Sequence, residues 1–225
     1  MTFPDTPRPA LIFDMDGVIF DSEALVRRCW RLLAPEYGLP SDGLDAVFLA
    51  TVGTTRVYTG EIMREQYGAQ FPYEAFDRQV SRTFFSIARS EGIPVKPGAR
   101  ELLCWARQAG FRIGLASSTR EAILRRELEH EQLYHLFDHT VGGDRIARSK
   151  PHPDIYETAC REMGVRPQEA FAIEDSYNGI RAAAAAGMRP VMVPDLLPPT
   201  DEMRALCCAI FPDLAAFQAW LAASL

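Results

Sequence analysis

Lysine is nearly absent from this chain of 225 residues. Only Lys96 and Lys150 are lysines among the 24 basic residues, and the rest are arginines. Lysine carries a compact, flexible ammonium, whereas arginine carries a planar guanidinium fork. The two exceptions therefore indicate positions where a compact ammonium is preferred, and the stretch 21–90 contains no lysine at all.

Long apolar runs are also lacking. No segment approaches the length of a membrane span, and the first ten residues hold three prolines and no apolar signal core. The formal net charge is −6, which disfavours binding to nucleic acid or anionic lipid. We therefore expect a cytoplasmic protein with no membrane or nucleic-acid partner, and a monomer by default.

Zinc-type cysteine and histidine patterns are missing as well. The five cysteines are scattered, so we expect reduced and mostly buried thiols, although the adjacent Cys207 and Cys208 leave a redox role open. His130, His135 and His139 lie close in sequence but predict polar surface positions rather than a metal site. With 48% hydrophobic residues, the chain can still bury a substantial core.

What is present begins with an apolar run, 10–13, that ends in Asp14 and Asp16 and then Gly17. Such a run is typical of a strand buried on both faces of a parallel sheet. Side chains two residues apart share a face, so both carboxylates would lie at the carboxyl end of the strand, where open α/β sheets bind ligands. The alternative is a strand that ends in an ordinary turn.

Strands alternate with helices along most of the chain, which predicts βαβ units, a parallel sheet and a Rossmann-like α/β core. The spacing predicts strands at 10–14, 112–116, 138–141, 170–173 and 190–193. The block 21–90 has helical periodicity only, starting with Ser22 as a candidate N-cap and continuing near 54–68 and 72–90. We interpret residues 1–20 and 91–225 as the core and 21–90 as an inserted, all-helical cap.

Four groups of polar residues follow the predicted strands: Asp14 with Asp16, Ser117 with Ser118, Lys150, and Glu174 with Asp175. The carboxyl ends of parallel strands meet at one crevice. Carboxylates, a hydroxyl at a helix start and an ammonium suit Mg²⁺ together with a phosphate. Each group also has a structural interpretation: Ser118 as a helix cap, Lys150 as a surface residue, and Asp175 or Ser176 as the cap of the next helix.

These groups resemble the four motifs of the haloacid dehalogenase (HAD) superfamily. The motifs read Asp-x-Asp-Gly-Val from Asp14, a Ser after a strand, Lys-Pro-x-Pro-Asp from Lys150, and Glu-Asp-Ser-x-x-Gly-Ile from Glu174. They span residues 14–180, and the helical insert resembles the C1-type cap of this superfamily. The branch most similar to the chain is that of the β-phosphoglucomutases and sugar phosphatases.

The resemblance implies a role for each matching residue. Asp14 would be the nucleophile that forms an aspartyl phosphate, and Asp16 would be the general acid and base. Ser117 and Lys150 match phosphate-binding residues, and Ser118 is a further candidate. Mg²⁺ would be held by Asp14, Asp175 and the backbone carbonyl of Asp16, and Glu174 matches a position that either binds the metal or supports its ligands.

Departures from the superfamily pattern narrow the activity. Mutases carry a cap histidine five residues after the residue that matches Asp21, where this chain has Val26. Arg56, in the stretch Gly53 to Arg56, matches a substrate-contacting arginine of the cap, with a solvated helix residue as the alternative. We expect a Mg²⁺-dependent phosphatase acting on a small phosphorylated metabolite, a sugar or polyol phosphate. The alternatives are a phosphosugar mutase and a catalytically idle HAD-fold binding protein.

Overall fold

Six parallel strands form one sheet in the computed structural model, which describes residues 8–52, 54 and 56–224. Their order across the sheet is β3-β2-β1-β4-β5-β6. The strands are β1 (Ala10–Phe13), β2 (Ile113–Ala116), β3 (His139–Val141), β4 (Ala170–Glu174), β5 (Arg189–Met192) and β6 (Ala209–Ile210). The predicted parallel α/β sheet is confirmed, and only the short edge strand β6 was not predicted.

At least one helix separates each strand from the next along the chain, as βαβ units require. In the described residues they are α1 (Ser22–Leu33), α2 (Leu44–Thr51), α3 (Arg56–Tyr67), α4 (Tyr73–Ser90), α5 (Ala99–Gln108), α6 (Glu121–His130), α7 (Asp154–Met163), α8 (Tyr177–Ala185), α9 (Asp201–Leu206) and α10 (Leu214–Ala223). Short 3₁₀ turns lie at Tyr134–Leu136, Gly143–Arg145 and Pro167–Glu169. None of the helices in the described part of the chain has the length and apolar content that a membrane span needs.

The chain divides into two compact units, one of residues 1–20 and 95–225 and one of residues 21–94. The second unit contains α1 to α4, and its core includes the rings of Trp30, Phe48 and Phe76. Trp30 meets the other two rings edge to face, with centroids 5.4 and 5.2 Å apart. The sequence predicts the end of this unit at residue 90, whereas residues 91–94 also belong to it.

Successive side chains of a strand point to opposite sides of the sheet. Helices pack against each side, so both faces of this sheet are buried. On one face, Ile12 of β1 packs in a cluster with Tyr156 of α7 and Ala183 of α8. On the other face, the ring of Phe171 in β4 meets Trp220 of α10 at 5.7 Å between centroids. This sandwich explains why the strands are apolar runs rather than alternating sequences.

β1 and its neighbours end at the same level. Phe13 is opposite Leu115 of β2 on one side and Ile173 of β4 on the other. The polar residues that follow these strands are therefore brought to one edge, which we call the carboxyl edge. The neighbouring strand β5 extends this edge, since Glu174 is opposite Met192.

Several local predictions need correction. Asp21 rather than Ser22 is the N-cap of α1, and its side chain accepts a hydrogen bond from the Ala24 backbone N–H at 3.2 Å. Helix α2 was not predicted, since it is short and lies in a stretch rich in turn residues. The expectation of mostly buried thiols holds only for Cys29 and Cys160.

Of the two adjacent cysteines, Cys207 is half-buried and Cys208 is exposed. Burial raises the pKa of Cys207 to about 11, with the neighbouring Cys208 adding to the shift, so its thiol stays protonated at neutral pH. A protonated thiol is a poor nucleophile, which disfavours a redox role for the pair. The three clustered histidines are exposed, as predicted.

Candidate active site

Asp14 and Asp16 lie in the tight turn that follows β1. The backbone N–H of Asp14 donates to the Ile173 carbonyl at 2.9 Å, which fixes Asp14 beside the end of β4. Asp14 is only 7% exposed. The turn requires glycine next, because Gly17 has a φ of 79° and a Cβ there would lie 2.3 Å from Asp175 Oδ2. The turn thus packs directly against Asp175, which follows β4.

Lys150 links three strand ends. Its ammonium donates to Asp14 Oδ1 and Glu174 Oε1, each at 2.6 Å, and to the Ala116 carbonyl at 3.1 Å. The side chain is 8% exposed, so the interpretation as a surface residue is wrong. A compact ammonium can donate three hydrogen bonds in different directions, which a planar guanidinium cannot do in this space. The scarcity of lysine in the chain therefore has a structural counterpart here.

Glu174 is fully buried at the end of β4 and accepts several hydrogen bonds. Besides Lys150, the Tyr156 hydroxyl donates to Oε1 at 2.7 Å, and the Ser176 hydroxyl donates to Oε2 at 3.0 Å. Gly179 leaves room for this carboxylate, since a Cβ there would lie 1.9 Å from Glu174 Cδ. Ser176, and not Asp175, caps α8 by accepting from the Gly179 N–H at 3.1 Å.

Asp175 completes an acidic cluster at the carboxyl edge. One carboxylate oxygen each from Asp14, Glu174 and Asp175 can be chosen so that all lie within 4.8 Å of one another. Such a group of oxygens at a strand edge matches the hard ligands that Mg²⁺ and Ca²⁺ prefer. The structure therefore brings together three side chains that the sequence predicts as candidate metal ligands.

Ser117 follows β2 and is fully buried. Its Oγ accepts a hydrogen bond from the Thr119 N–H at 3.0 Å, and the Thr119 hydroxyl donates to Asp16 Oδ2 at 3.1 Å. Ser118 is exposed and does not cap α6, whose first N–H, that of Glu121, donates instead to Asp144 Oδ1 at 2.8 Å. The interpretation of Ser118 as a helix cap is therefore wrong, because a residue distant in sequence takes that role.

Negative charge exceeds positive charge at this edge. Burial raises the pKa of Asp14 to about 7; repulsion from Glu174 and Asp16 adds to the shift, and the attraction of Lys150 opposes it. Burial, and then the charges of Glu174 and Asp14, hold the pKa of Asp175 well above its usual range. Burial acts to lower the pKa of Lys150, but its two carboxylate partners outweigh that effect and raise it.

The donor set fits a divalent cation. Asp14, Asp16, Glu174 and Asp175 supply four carboxylates against the single ammonium of Lys150, so the ionised cluster carries an uncompensated negative charge. A hard cation would offset that charge and allow the buried carboxylates to ionise. An ionised Asp14 beside an ammonium and a cation could then attack a phosphorus atom, because both neutralise charge on phosphoryl oxygens.

Two residues of this site were missed in the sequence. Tyr156 is fully buried, and its ring lies 5.1 Å from the Lys150 ammonium while its hydroxyl reaches Glu174. A buried tyrosine needs a partner for its hydroxyl, so a tyrosine on the apolar face of a helix was an available signal. Thr119 gave no such signal, because its contact with Asp16 depends on how the β2 and β1 turns meet.

Arg56 belongs to the helical unit. Its guanidinium is exposed, with 69% of the side chain accessible, and Nη2 lies 2.6 Å from Asp77 Oδ2. A cavity of about 240 Å³ within this unit is lined by Arg56, Asp77 and Tyr73 among others. Two residues of the predicted substrate loop, Gly53 and Thr55, lie outside the described residues.

Comparison with known proteins identifies the family of the chain. The model of the haloacid dehalogenase-like hydrolase family matches residues 9–187. The chain is 33% identical to protein CbbY of Cereibacter sphaeroides over 195 residues, 82% of this chain and 84% of that protein. It is 32% identical to hexitol phosphatase B of Escherichia coli (strain K12) over 197 residues, 84% of this chain and 86% of that protein.

Solved structures give the same result. A HAD family hydrolase from Deinococcus radiodurans R1, crystallised with bound phosphate and sodium, superposes with a TM-score of 0.82 and 26% sequence identity. The match covers 98% of this chain and 97% of that one.

Proposed function

Because the chain belongs to the haloacid dehalogenase-like hydrolases, we propose that it is a Mg²⁺-dependent phosphatase acting on a small phosphate monoester. The observation that carries the proposal is the buried contact of Lys150 with Asp14 and Glu174, beside Asp175, at the carboxyl edge. That arrangement places a nucleophile, a cation for the phosphoryl group and metal ligands within one cluster. A phosphoric monoester hydrolase of this family needs these three components.

In this proposal Asp14, Asp175 and the backbone carbonyl of Asp16 hold Mg²⁺. Both oxygens of Glu174 already accept hydrogen bonds, from Lys150 and Tyr156 on one side and Ser176 on the other. Glu174 therefore serves mainly to hold Lys150, with metal binding as a further role. When bound, Mg²⁺ neutralises charge on the transferring phosphoryl group and keeps Asp14 ionised.

The reaction proceeds in two steps at Asp14. In the first, an Asp14 carboxylate oxygen forms a bond to phosphorus as the ester P–O bond breaks, and Asp16 gives its proton to the departing oxygen. In the second, Asp16 takes a proton from water as that water attacks phosphorus, and the Asp14–phosphorus bond breaks. The Thr119 hydroxyl orients Asp16. Ser117, with the exposed Ser118 as a weaker candidate, binds the phosphoryl oxygens, and Lys150 attracts them through its charge or by exchanging one of its three present acceptors.

The substrate proposed is a sugar or polyol phosphate. Support comes from the similarity to hexitol phosphatase B and from a chain that is acidic overall, which does not favour polyanionic polymers. We also propose that the helical unit, residues 21–94, acts as the C1-type cap implied by the resemblance and that Arg56 contacts the substrate. The polar and aromatic lining of the cavity near Arg56 suits the hydroxyl groups of such a substrate.

Release of inorganic phosphate from a panel of phosphorylated metabolites and from an aryl phosphate tests the proposal. With Mg²⁺, the wild type is expected to hydrolyse at least one substrate, and Asp14→Asn is expected to lose at least about a thousandfold in kcat. Chelation of the metal should abolish turnover.

Asp138→Asn is the matched control, because Asp138 pairs with Arg107 at the amino end of β3, away from the carboxyl edge. It should keep wild-type activity. Equal inactivity of wild type and Asp14→Asn across the panel would favour a catalytically idle binding protein. Efficient conversion of β-glucose 1-phosphate in the presence of a bisphosphate activator would favour a mutase.

A further inference from the structure

The second lysine of the chain also forms a shielded ion pair. The Lys96 ammonium donates to Asp195 Oδ1 at 2.6 Å, and the two side chains are 21% and 8% exposed. Lys96 lies at the point where the chain re-enters the core unit. Both lysines of the chain thus pair with carboxylates.

Asp195 lies at the carboxyl edge next to the acidic cluster. The backbone N–H of Val193 donates to the Glu174 carbonyl at 2.8 Å, so the residues after β5 run alongside Glu174 and Asp175. Asp195 is two residues further on.

Lys96 is anchored to the turn that follows β1. Its backbone N–H donates to the Ile19 carbonyl at 2.8 Å, and the preceding Val95 pairs with Phe20 in an antiparallel bridge. Ile19 and Phe20 close the turn that contains Asp16 and Gly17. The Lys96–Asp195 pair therefore ties the turn after β1 to the segment after β5.

One oxygen of this pair is left over. Asp195 Oδ2 is buried and has no hydrogen-bond partner among the described residues. A buried carboxylate oxygen without a partner destabilises the folded chain, because the oxygen has lost its hydration and gained no hydrogen bond in return. An ion pair whose task was only to hold two segments together would not need an unsatisfied oxygen in the interior. The missing partner is therefore expected to be a group that binds at the carboxyl edge.

We infer that Asp195 is a positioning residue of the metal site. Its Oδ2 accepts a hydrogen bond from a water molecule carried by the cation that Asp14 and Asp175 hold, while Lys96 fixes the carboxylate through Oδ1. Mg²⁺ keeps several of its waters in protein sites, so a carboxylate beside its direct ligands has a donor to accept from. This inference rests on the proposed function, because it assumes that the acidic cluster binds Mg²⁺.

Calorimetric titration of metal-free protein with Mg²⁺ at pH 8 tests the inference without any turnover. Loss of a residue that orients metal ligands typically weakens metal binding by about 10- to 100-fold, so Asp195→Asn should bind Mg²⁺ at least about tenfold more weakly than the wild type. The substitution keeps the shape of the side chain and one oxygen for Lys96, but it removes the charge. Asp138→Asn, an equivalent change in an ion pair at the other end of the sheet, should bind Mg²⁺ like the wild type.

Mg²⁺ binding by Asp195→Asn with wild-type affinity would overturn the inference and leave the ion pair a structural element. If Asp195→Asn does not fold, Asp195→Glu keeps the charge but displaces the second oxygen. Its Mg²⁺ affinity should fall by at least about threefold, and an unchanged affinity would again overturn the inference. Failure of the wild type itself to bind Mg²⁺ would instead contradict the proposed function.

Discussion

The carboxyl edge and the helical unit of residues 21–94 both contain ion pairs, but of opposite kinds. At the edge, Lys150 pairs with Asp14 and Glu174, and the three side chains are 8%, 11% and 0% exposed. In the helical unit, Arg28 pairs with Glu91 and both side chains are 51% exposed. Other pairs of that unit, Arg31–Asp45 and Arg64–Glu74, are likewise open to solvent.

The difference separates charges placed for solubility from charges placed for chemistry. Exposed pairs are screened by water and contribute little to folding. Buried charges lose hydration, and their mutual attraction offsets that loss only when the geometry is good. A folded chain that buries several charges at one edge is therefore less stable than one without them, and it gains a reactive site in return. The buried pairs at this edge use lysine, whereas the exposed pairs of the helical unit use arginine.

Removal of the buried ammonium should have the largest effect. In metal-free protein at pH 8, Lys150→Met leaves two buried carboxylates without their cation and is expected to lower the free energy of unfolding by about 3–5 kcal/mol. Arg28→Met removes the cation of an exposed pair and should leave the urea midpoint almost unchanged. Equilibrium urea unfolding of both variants measures the contrast.

A lower pH should reduce the cost of Lys150→Met, because the stranded carboxylates can then take up protons. Equal losses of stability in Lys150→Met and Arg28→Met would contradict the distinction between the two regions.

Adding a methyl group to a helix in each unit sharpens the comparison. Gly179→Ala must displace Glu174, and Gly60→Ala must displace Tyr73, whose Cδ1 would lie 2.6 Å from the new Cβ. Overpacking of this kind costs about 1–3 kcal/mol, so thermal unfolding should show both variants destabilised. Only Gly179→Ala shifts the carboxylate that holds Lys150, and its kcat for phosphate release should fall about tenfold or more.

Gly60→Ala is the comparison variant. Because Tyr73 lines the cavity proposed for the substrate, the KM of this variant is expected to change while its kcat at saturating substrate stays near the wild-type value. A wild-type kcat in Gly179→Ala would mean that the position of Glu174 is unimportant for turnover.

The smallest effect concerns the pH dependence of metal-free protein. The pKa of Asp14 is raised from 3.8 to about 7 in the folded state, so between these values the folded chain binds more protons than the unfolded chain. Stability contributed by Asp14 is therefore lost as pH rises through this interval. Asp14→Asn has no carboxyl group to lose this proton, so its stability does not fall over this interval. The Tm of Asp14→Asn minus the Tm of the wild type should therefore increase by a few degrees between pH 5 and pH 8.

Saturating Mg²⁺ should reverse the trend by stabilising the wild type alone. A difference in Tm that does not change with pH in metal-free protein would indicate that Asp14 stays ionised throughout.

Elements with a strong and local signal were predictable. The apolar runs of β1, β2 and β4 identified central strands, because burial on both faces leaves no polar positions. Short elements such as α2, α9 and β6 were missed, since their formation depends on packing rather than on periodicity. Ser118 looked like a helix cap, but Asp144 supplies the acceptor from a loop that only the fold brings near.

The amino-acid sequence by itself determined which chemical groups stand at the ends of the strands, since strand periodicity and the order of motifs are properties of the linear chain. Only the tertiary structure decided how these groups pair: that Lys150 holds Asp14 and Glu174 at once, that Tyr156 and Thr119 support them, and that Asp195 keeps an unsatisfied oxygen nearby. The physical reason is that hydrogen bonds and burial depend on distances between residues far apart in the chain, which the register of the sheet sets.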